Sequence, residues 1–245
     1  MKALSVLLAL FTIQILATPA LAQLSCESDM TNLVAHYQID VKHGNNATRA
    51  TTMNLWRNSN KVAHEYPATH ITESWTHVRN KLIKPTRFFD AHARAIEYQP
   101  GETIHGKREN DFSYRYQLIS DTMLGNMTLI ETEEKGCNTI QYYSLKQGQT
   151  AYSLTWLPNQ KLIKQFSVHN ANSSRTWTLQ EVDYERSTSD FFAKREAYQT
   201  TDYADIGDDH TDPFLTKMVN QGFIEAGASG YYDTDGHAIG EAHTH

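Results

Sequence analysis

Between Ala50 and Tyr184 the hydrophobic and polar positions fall into short β-prone runs, broken by turn clusters at intervals of roughly ten to fifteen residues. The runs are 51–57, 61–66, 71–78, 88–98, 127–132, 138–145, 150–156, 162–169 and 175–184. Asn58-Ser59-Asn60, Pro100-Gly101, Lys135-Gly136, Gln147-Gly148-Gln149, Leu157-Pro158-Asn159-Gln160 and residues 170–174 separate them, supplying Gly, Pro, Asn or Ser where the backbone must reverse. Connections this short make consecutive strands antiparallel, because a parallel crossover needs a dozen or more residues. In the last run Trp177, Leu179 and Val182 interleave with Thr178 and Gln180, giving one buried and one wetter face. So many strands predict a curled sheet in preference to a flat one. The expected class is mainly β (α+β): a curled antiparallel sheet or half-barrel with an N-terminal helix and a C-terminal helix.

The N-terminal helix is predicted from Met30, Leu33, Val34 and Tyr37, which recur at i, i+3, i+4, i+7 behind a capping Asp29. The C-terminal helix follows Asp212 as cap, with Pro213 in the first turn and Phe214, Leu215, Met218 and Val219 on one side. Gly222 is placed to stop it. Ahead of both, Lys2, an apolar stretch through Leu16, then Pro19 and Ala20-Leu21-Ala22 match a secretory signal peptide. The division expected is therefore a signal peptide at 1–22, a half-barrel domain with its N-terminal helix at 23–200, a helical segment at 201–226, and a flexible His- and Asp-bearing tail at 227–245. Export to the periplasm follows from the leader. Gln23, Leu24 and Ser25 before Cys26 do not make a lipidation signal.

Export changes the reading of the two cysteines. In an oxidising compartment Cys26 and Cys137 are expected to form a disulfide, contributing about 4 to 5 kcal/mol through a long closed loop. Two free thiols on a metal are the alternative.

With 22 Lys and Arg against 28 Asp and Glu, the net charge of −6 excludes nucleic acid as a natural partner. A mean hydropathy of −0.56 and no apolar run of 18 residues or more after the leader predict no transmembrane span in the mature chain.

Candidate chemistry is sparse. Twelve histidines include one group at His64, His70, His77 and His92, whose spacing sets His70 and His77 on opposite faces of a regular strand. A second group, His210, His237, His243 and His245, lies near Asp208, Asp209, Asp233, Asp235 and Glu241 and is the candidate metal site, with Zn or Cu as the cofactor it would suit. No Gly-x-Ser-x-Gly is present, and His64-Glu65 meets Ala68 where His-Glu-x-x-His needs its second histidine. No catalytic residue is assigned.

The passage from Tyr152 to Lys164, an aromatic strand running into Leu157-Pro158-Asn159-Gln160 and a second strand, followed by Trp177-Thr178-Leu179-Gln180-Glu181-Val182, resembles the LolA/LolB-like periplasmic proteins. That superfamily includes outer-membrane lipoprotein-sorting carriers. The resemblance implies a half-open barrel, helices lying across its concave face, and an apolar cavity for acyl chains. Thirteen Tyr, nine Phe and four Trp are enough to line such a space, with Trp56, Trp75, Phe89, Trp156, Phe166 and Trp177 as candidate ligand contacts. The leading expectation is thus an exported carrier or sensor of an apolar small molecule or lipid. A metal-handling protein using the tail histidines is the second reading. An envelope scaffold, whose sheet edge or acidic tail recruits a protein partner, is the third.

Overall fold

The computed structural model describes residues 29–79, 82–104, 107–135, 138–206 and 211–220. The first meander runs β1 (Asn32–His43), β2 (Arg49–Asn58), β3 (Lys61–Tyr66), β4 (Ile71–His77), β5 (Ile83–Phe89) and β6 (Arg94–Glu97). A two-strand ribbon, β7 (Thr103–Ile104) and β8 (Lys107–Arg108), leads to the short helices α1 (Phe112–Gln117) and α2 (Asp121–Asn126). The second meander is β9 (Thr128–Lys135), β10 (Asn138–Gln147), β11 (Thr150–Leu157), β12 (Leu162–His169) and β13 (Ser173–Asp183). Helix α3 (Thr188–Glu196), β14 (Gln199–Asp202) and α4 (Pro213–Asn220) complete the described chain.

Twelve of these strands form one sheet in the order β14-β6-β5-β4-β3-β2-β1-β13-β12-β11-β10-β9. Pairing is antiparallel throughout except for β14 against β6. The two meanders are joined because β1 pairs with β2 on one side and with β13 on the other. The sheet is strongly curled. A flat sheet would hold β2 and β12 about 14 Å apart, three strand spacings. Yet Arg57 of β2 reaches the carbonyls of Gln160 and Lys161, just before β12, at 2.7 and 2.5 Å. The face carrying Arg57 is therefore the concave one.

Alternation along β1 divides the core. Leu33, Ala35, Tyr37, Ile39 and Val41 face the concave side, in one cluster with Met53, Leu55, Trp75, Leu154, Trp156, Phe166 and Trp177. Val34 faces the other side, with Trp56 and Ala63 beneath Phe191 and Phe192 of α3. A third cluster, Ile71, Phe89, Ile96 and Tyr98, is covered by Leu215 and Met218 of α4.

The N-terminal helix expected around Met30, Leu33, Val34 and Tyr37 is not formed, since Asn32–His43 is a strand. Its helical spacing arises because β1 is covered on both faces: Leu33 and Val34 are each fully buried, so strict alternation is lost from the sequence. The run expected at 88–98 is also two strands rather than one. A 3₁₀ turn at Asp90–His92, closed by Ala93 at φ 49°, separates β5 from β6. The C-terminal helix forms, with Asp212 Oδ1 accepting from the backbone N–H groups of Phe214 and Leu215. The signal peptide, Cys26, Cys137 and the tail lie outside the described residues.

Candidate functional site

Strand register places the concave side chains in rows that cross the sheet. One row reads Thr51, Ile39, Trp177, Phe166, Leu154 and Tyr143, on β2, β1, β13, β12, β11 and β10 in turn. The row beside it reads Arg49, Val41, Arg175, Val168, Tyr152 and Leu145. The first is largely buried, while Tyr143, Leu145, Tyr152 and Val168 are only half-buried. On β10, β11 and β12 an apolar face thus runs from the core to the surface, while Arg175 interrupts the outer row on β13.

Helices α1 and α2 cover the inner part of this face. Both are capped from the sequence: Asp111 accepts from Tyr114 N at 3.1 Å and Ser120 from Met123 N at 2.9 Å. Leu118 turns the chain between them at φ 64°. Phe112, Tyr116, Leu118, Ile119, Met123, Leu124 and Met127 pack into the concave core.

The cover is fastened by buried polar contacts to carbonyl groups. The Arg57 guanidinium, fully buried, donates twice to Tyr116 O (2.9 and 2.7 Å) and once each to Gln160 O and Lys161 O. It also lies 4.0 Å from the Tyr116 ring centroid. Burial pulls the Arg57 pKa down, opposed by Tyr116, Tyr37 and Tyr184. His64 Nε2 lies 2.8 Å from Arg115 O, and burial is the main cause lowering its pKa to about 3. The imidazole is therefore neutral and donates from Nε2. Arg115 itself pairs with Glu109 at 2.5 Å and lies 4.3 Å from the Trp75 ring. Glu73 and Arg87 form a further buried pair on this face at 2.6 Å, where burial raises the Glu73 pKa against the pull of Arg87.

Of the aromatic residues singled out in the sequence, Trp75, Trp156, Phe166 and Trp177 share the concave cluster, with Phe166 and Trp177 centroids 5.5 Å apart. Trp56 is on the convex side. It stacks on Phe191 at 3.7 Å and donates from Nε1 to Glu65 at 2.8 Å. Phe89 belongs to the α4 cluster, edge-on to Phe214 at 5.1 Å. His77 stacks on Phe112 and His92 packs by Phe214, so the first histidine group is dispersed. Among the described residues no three His, Cys, Asp or Glu are grouped to hold a metal ion. His210, His237, His243 and His245 are outside those residues. Sequence reasoning missed Arg57 and the α1–α2 cover, for which the two helix caps were the available signal.

The acyl-chain cavity implied by the resemblance is not preformed at the covered end, where side chains of α1 and α2 pack against the sheet. Beyond the two helices a recess of about 90 Å³ is lined by Val41, His43, Val168, Ser173, Ser174, Arg175 and Trp177. Buried small-molecule sites occupy roughly 300 to 1,000 Å³, so this recess admits only part of a ligand. No helix among the described residues is long and apolar enough to cross a membrane.

No family model and no curated protein matches this chain. Solved structures to which it is similar include PNGF-II, at 9% identity and a TM-score of 0.40, covering 69% of this chain and 31% of that one. The chain thus spans about a third of PNGF-II's length. An outer membrane lipoprotein-sorting domain from Vibrio parahaemolyticus is similar at 7% identity and a TM-score of 0.33, covering 69% of this chain and 94% of that one. A LolA superfamily protein from Nitrosomonas europaea is similar at 8% identity and a TM-score of 0.30, covering 66% and 90%. Lipoprotein-sorting and LolA superfamily structures are thus among those this chain is similar to, the group that the passage from Tyr152 to Val182 resembles.

Proposed function

We propose that this chain is an exported periplasmic binding protein that holds an apolar or lipid-like ligand against the concave face, with α1 and α2 as a movable cover. The observation that carries this reading is the apolar surface continuous across β10, β11 and β12. It passes from buried Trp156, Phe166 and Trp177 to half-buried Tyr143, Leu145, Tyr152 and Val168. Apolar burial at roughly 25 cal/mol per Å² favours filling that surface with a hydrocarbon. The cover is two six-residue helices, too short to be stable on their own, so its position depends on the contacts that Arg57 and His64 make. Lifting it frees a trough without disturbing any strand pairing.

Full-length protein purified without detergent and extracted with organic solvent tests this. Mass spectrometry is expected to find a near-stoichiometric amphiphile, or else the emptied protein takes up the apolar fluorophore N-phenylnaphthylamine. Neither extracted ligand nor fluorophore uptake would overturn the reading.

A further inference from the structure

The twelve-stranded sheet ends on two strands of different character. β14 is four residues long, whereas β9, at the other edge, runs for eight and pairs only with β10 among the described strands. Its outward backbone N–H and C=O groups have no ladder partner among the described residues, the arrangement by which an extended segment adds to a sheet. Register shows what such a segment would meet. On the concave side Leu129 stands opposite Tyr143, extending the row Trp177, Phe166, Leu154 and Tyr143 to the edge, where it is 47% exposed. A bulge at this point leaves Ile130 beside it, 64% exposed, so two of the three exposed large apolar side chains among the described residues adjoin on one strand. Beyond the bulge the pairing is regular from Glu131 to Lys135. Glu131 and Glu133 share the convex side there, opposite Tyr142 and Ile140. Glu133 accepts from Tyr142 Oη at 3.1 Å and pairs with Lys135 at 2.8 Å. Glu134 lies on the concave side and accepts from Thr139 Oγ1 at 2.9 Å. With three Glu to one Lys, the strand is net negative.

We propose that the β9 edge is a docking strand for a partner protein, which adds beside it an extended segment of alternating basic and apolar residues. The backbone of that segment completes the open ladder. Its apolar side chains continue the concave row past Leu129, and its Lys or Arg side chains meet Glu131 and Glu133 across the convex side. Charge selects this occupant over a second copy of the chain, whose own β9 would bring three further carboxylates to the same edge. Docking here leaves the concave face as it is, so the proposal stands whether or not that face holds a ligand.

Fluorescence anisotropy with the full chain tests this, using labelled octapeptides of alternating valine and lysine, valine and glutamate, or proline and lysine. The valine-lysine peptide is expected to bind at least about tenfold more tightly than either of the others. The glutamate peptide is repelled, and proline has no N–H with which to extend a ladder. Roughly half of the amides in 128–135 face outward. They should exchange fast with deuterium in the free chain and slow when the valine-lysine peptide binds. In the Glu131→Lys/Glu133→Lys variant the preference should turn toward the valine-glutamate peptide, and an unchanged preference would overturn the role of these two residues. Equal binding of the proline-lysine peptide would reduce the edge to general charge attraction and overturn strand addition. Equal binding of the valine-glutamate peptide would overturn the basic partner. Binding of no peptide, or binding without slower exchange in 128–135, would overturn the site. Slow exchange of the outward amides in the free chain would overturn the partner, assigning the edge to a second copy if protection grows with protein concentration and to another part of this chain if it does not.

Discussion

Arg57 is a charge buried without a carboxylate partner, held by carbonyl groups from α1 and from the β11–β12 turn. Replacing it with methionine removes the buried charge but leaves three carbonyls short of donors, each costing about 1 to 3 kcal/mol. Arg57→Met is therefore expected to destabilise the fold by about 2 to 5 kcal/mol in urea denaturation and to speed N-phenylnaphthylamine uptake. Unchanged stability and uptake would remove Arg57 from the account. His64 gives a pH signature. Its imidazole stays neutral in the folded chain down to about pH 3, whereas the unfolded chain takes up the proton near its ordinary 6.5. The unfolded state binds more protons in that window, so stability is complete above it and declines as pH falls, by at most about 1.4 kcal/mol per pH unit. Asp183 and Asp212, whose pKa values are lowered by hydrogen bonds, lose their contributions only below the ordinary 3.8. His64→Gln should flatten the stability profile between 6.5 and roughly pH 4.5, as read by urea midpoints, and an unchanged slope would contradict the assignment. Neither role was legible beforehand: Arg57 closes a strand and His64 lies in a β-prone run, and only curling brings carbonyls over them.

At the scale of elements, α3 is held to the convex face by Phe191 and Phe192 and by Arg195. This nearly buried side chain bonds Thr72 Oγ1, Glu65 Oε1 and Asp90, and packs 3.6 Å from the Phe191 ring. Arg195→Met would leave Glu65 and Asp90 without their cation in a mostly buried setting. A loss of about 2 to 4 kcal/mol is expected by denaturation, with faster hydrogen exchange confined to 188–196. Exchange that rises evenly over the sheet would contradict this local role. The same covering by α3 explains which elements the sequence revealed. The second meander was read close to its boundaries because polar and apolar residues alternate where one face meets water, as in Phe166-Ser167-Val168-His169. β1 was mistaken for a helix because both its faces are buried. α1 and α2 are six residues each, less than two turns, so periodicity had no length over which to show.

For the molecule as a whole, joining the two meanders through β1 and β13 makes one curled twelve-stranded sheet whose largest apolar cluster lies on the concave face. The curl was foreseeable from strand number, and aromatic abundance indicated a lined interior. What the sequence could not show was sidedness, which depends on register and on which helix covers which face. Trp156 and Trp177 thus share the trough, while Trp56 lies behind the sheet under α3. This sidedness permits the most direct test of ligand binding in the trough. A dibrominated fatty acid quenches indoles that it touches, so Trp fluorescence should be quenched on titration into the emptied full chain. Trp177→Phe should reduce the quenched fraction and Trp56→Phe should raise it. Quenching that falls with Trp56→Phe but not with Trp177→Phe, or no quenching by a bound chain, would contradict the concave face as the ligand site.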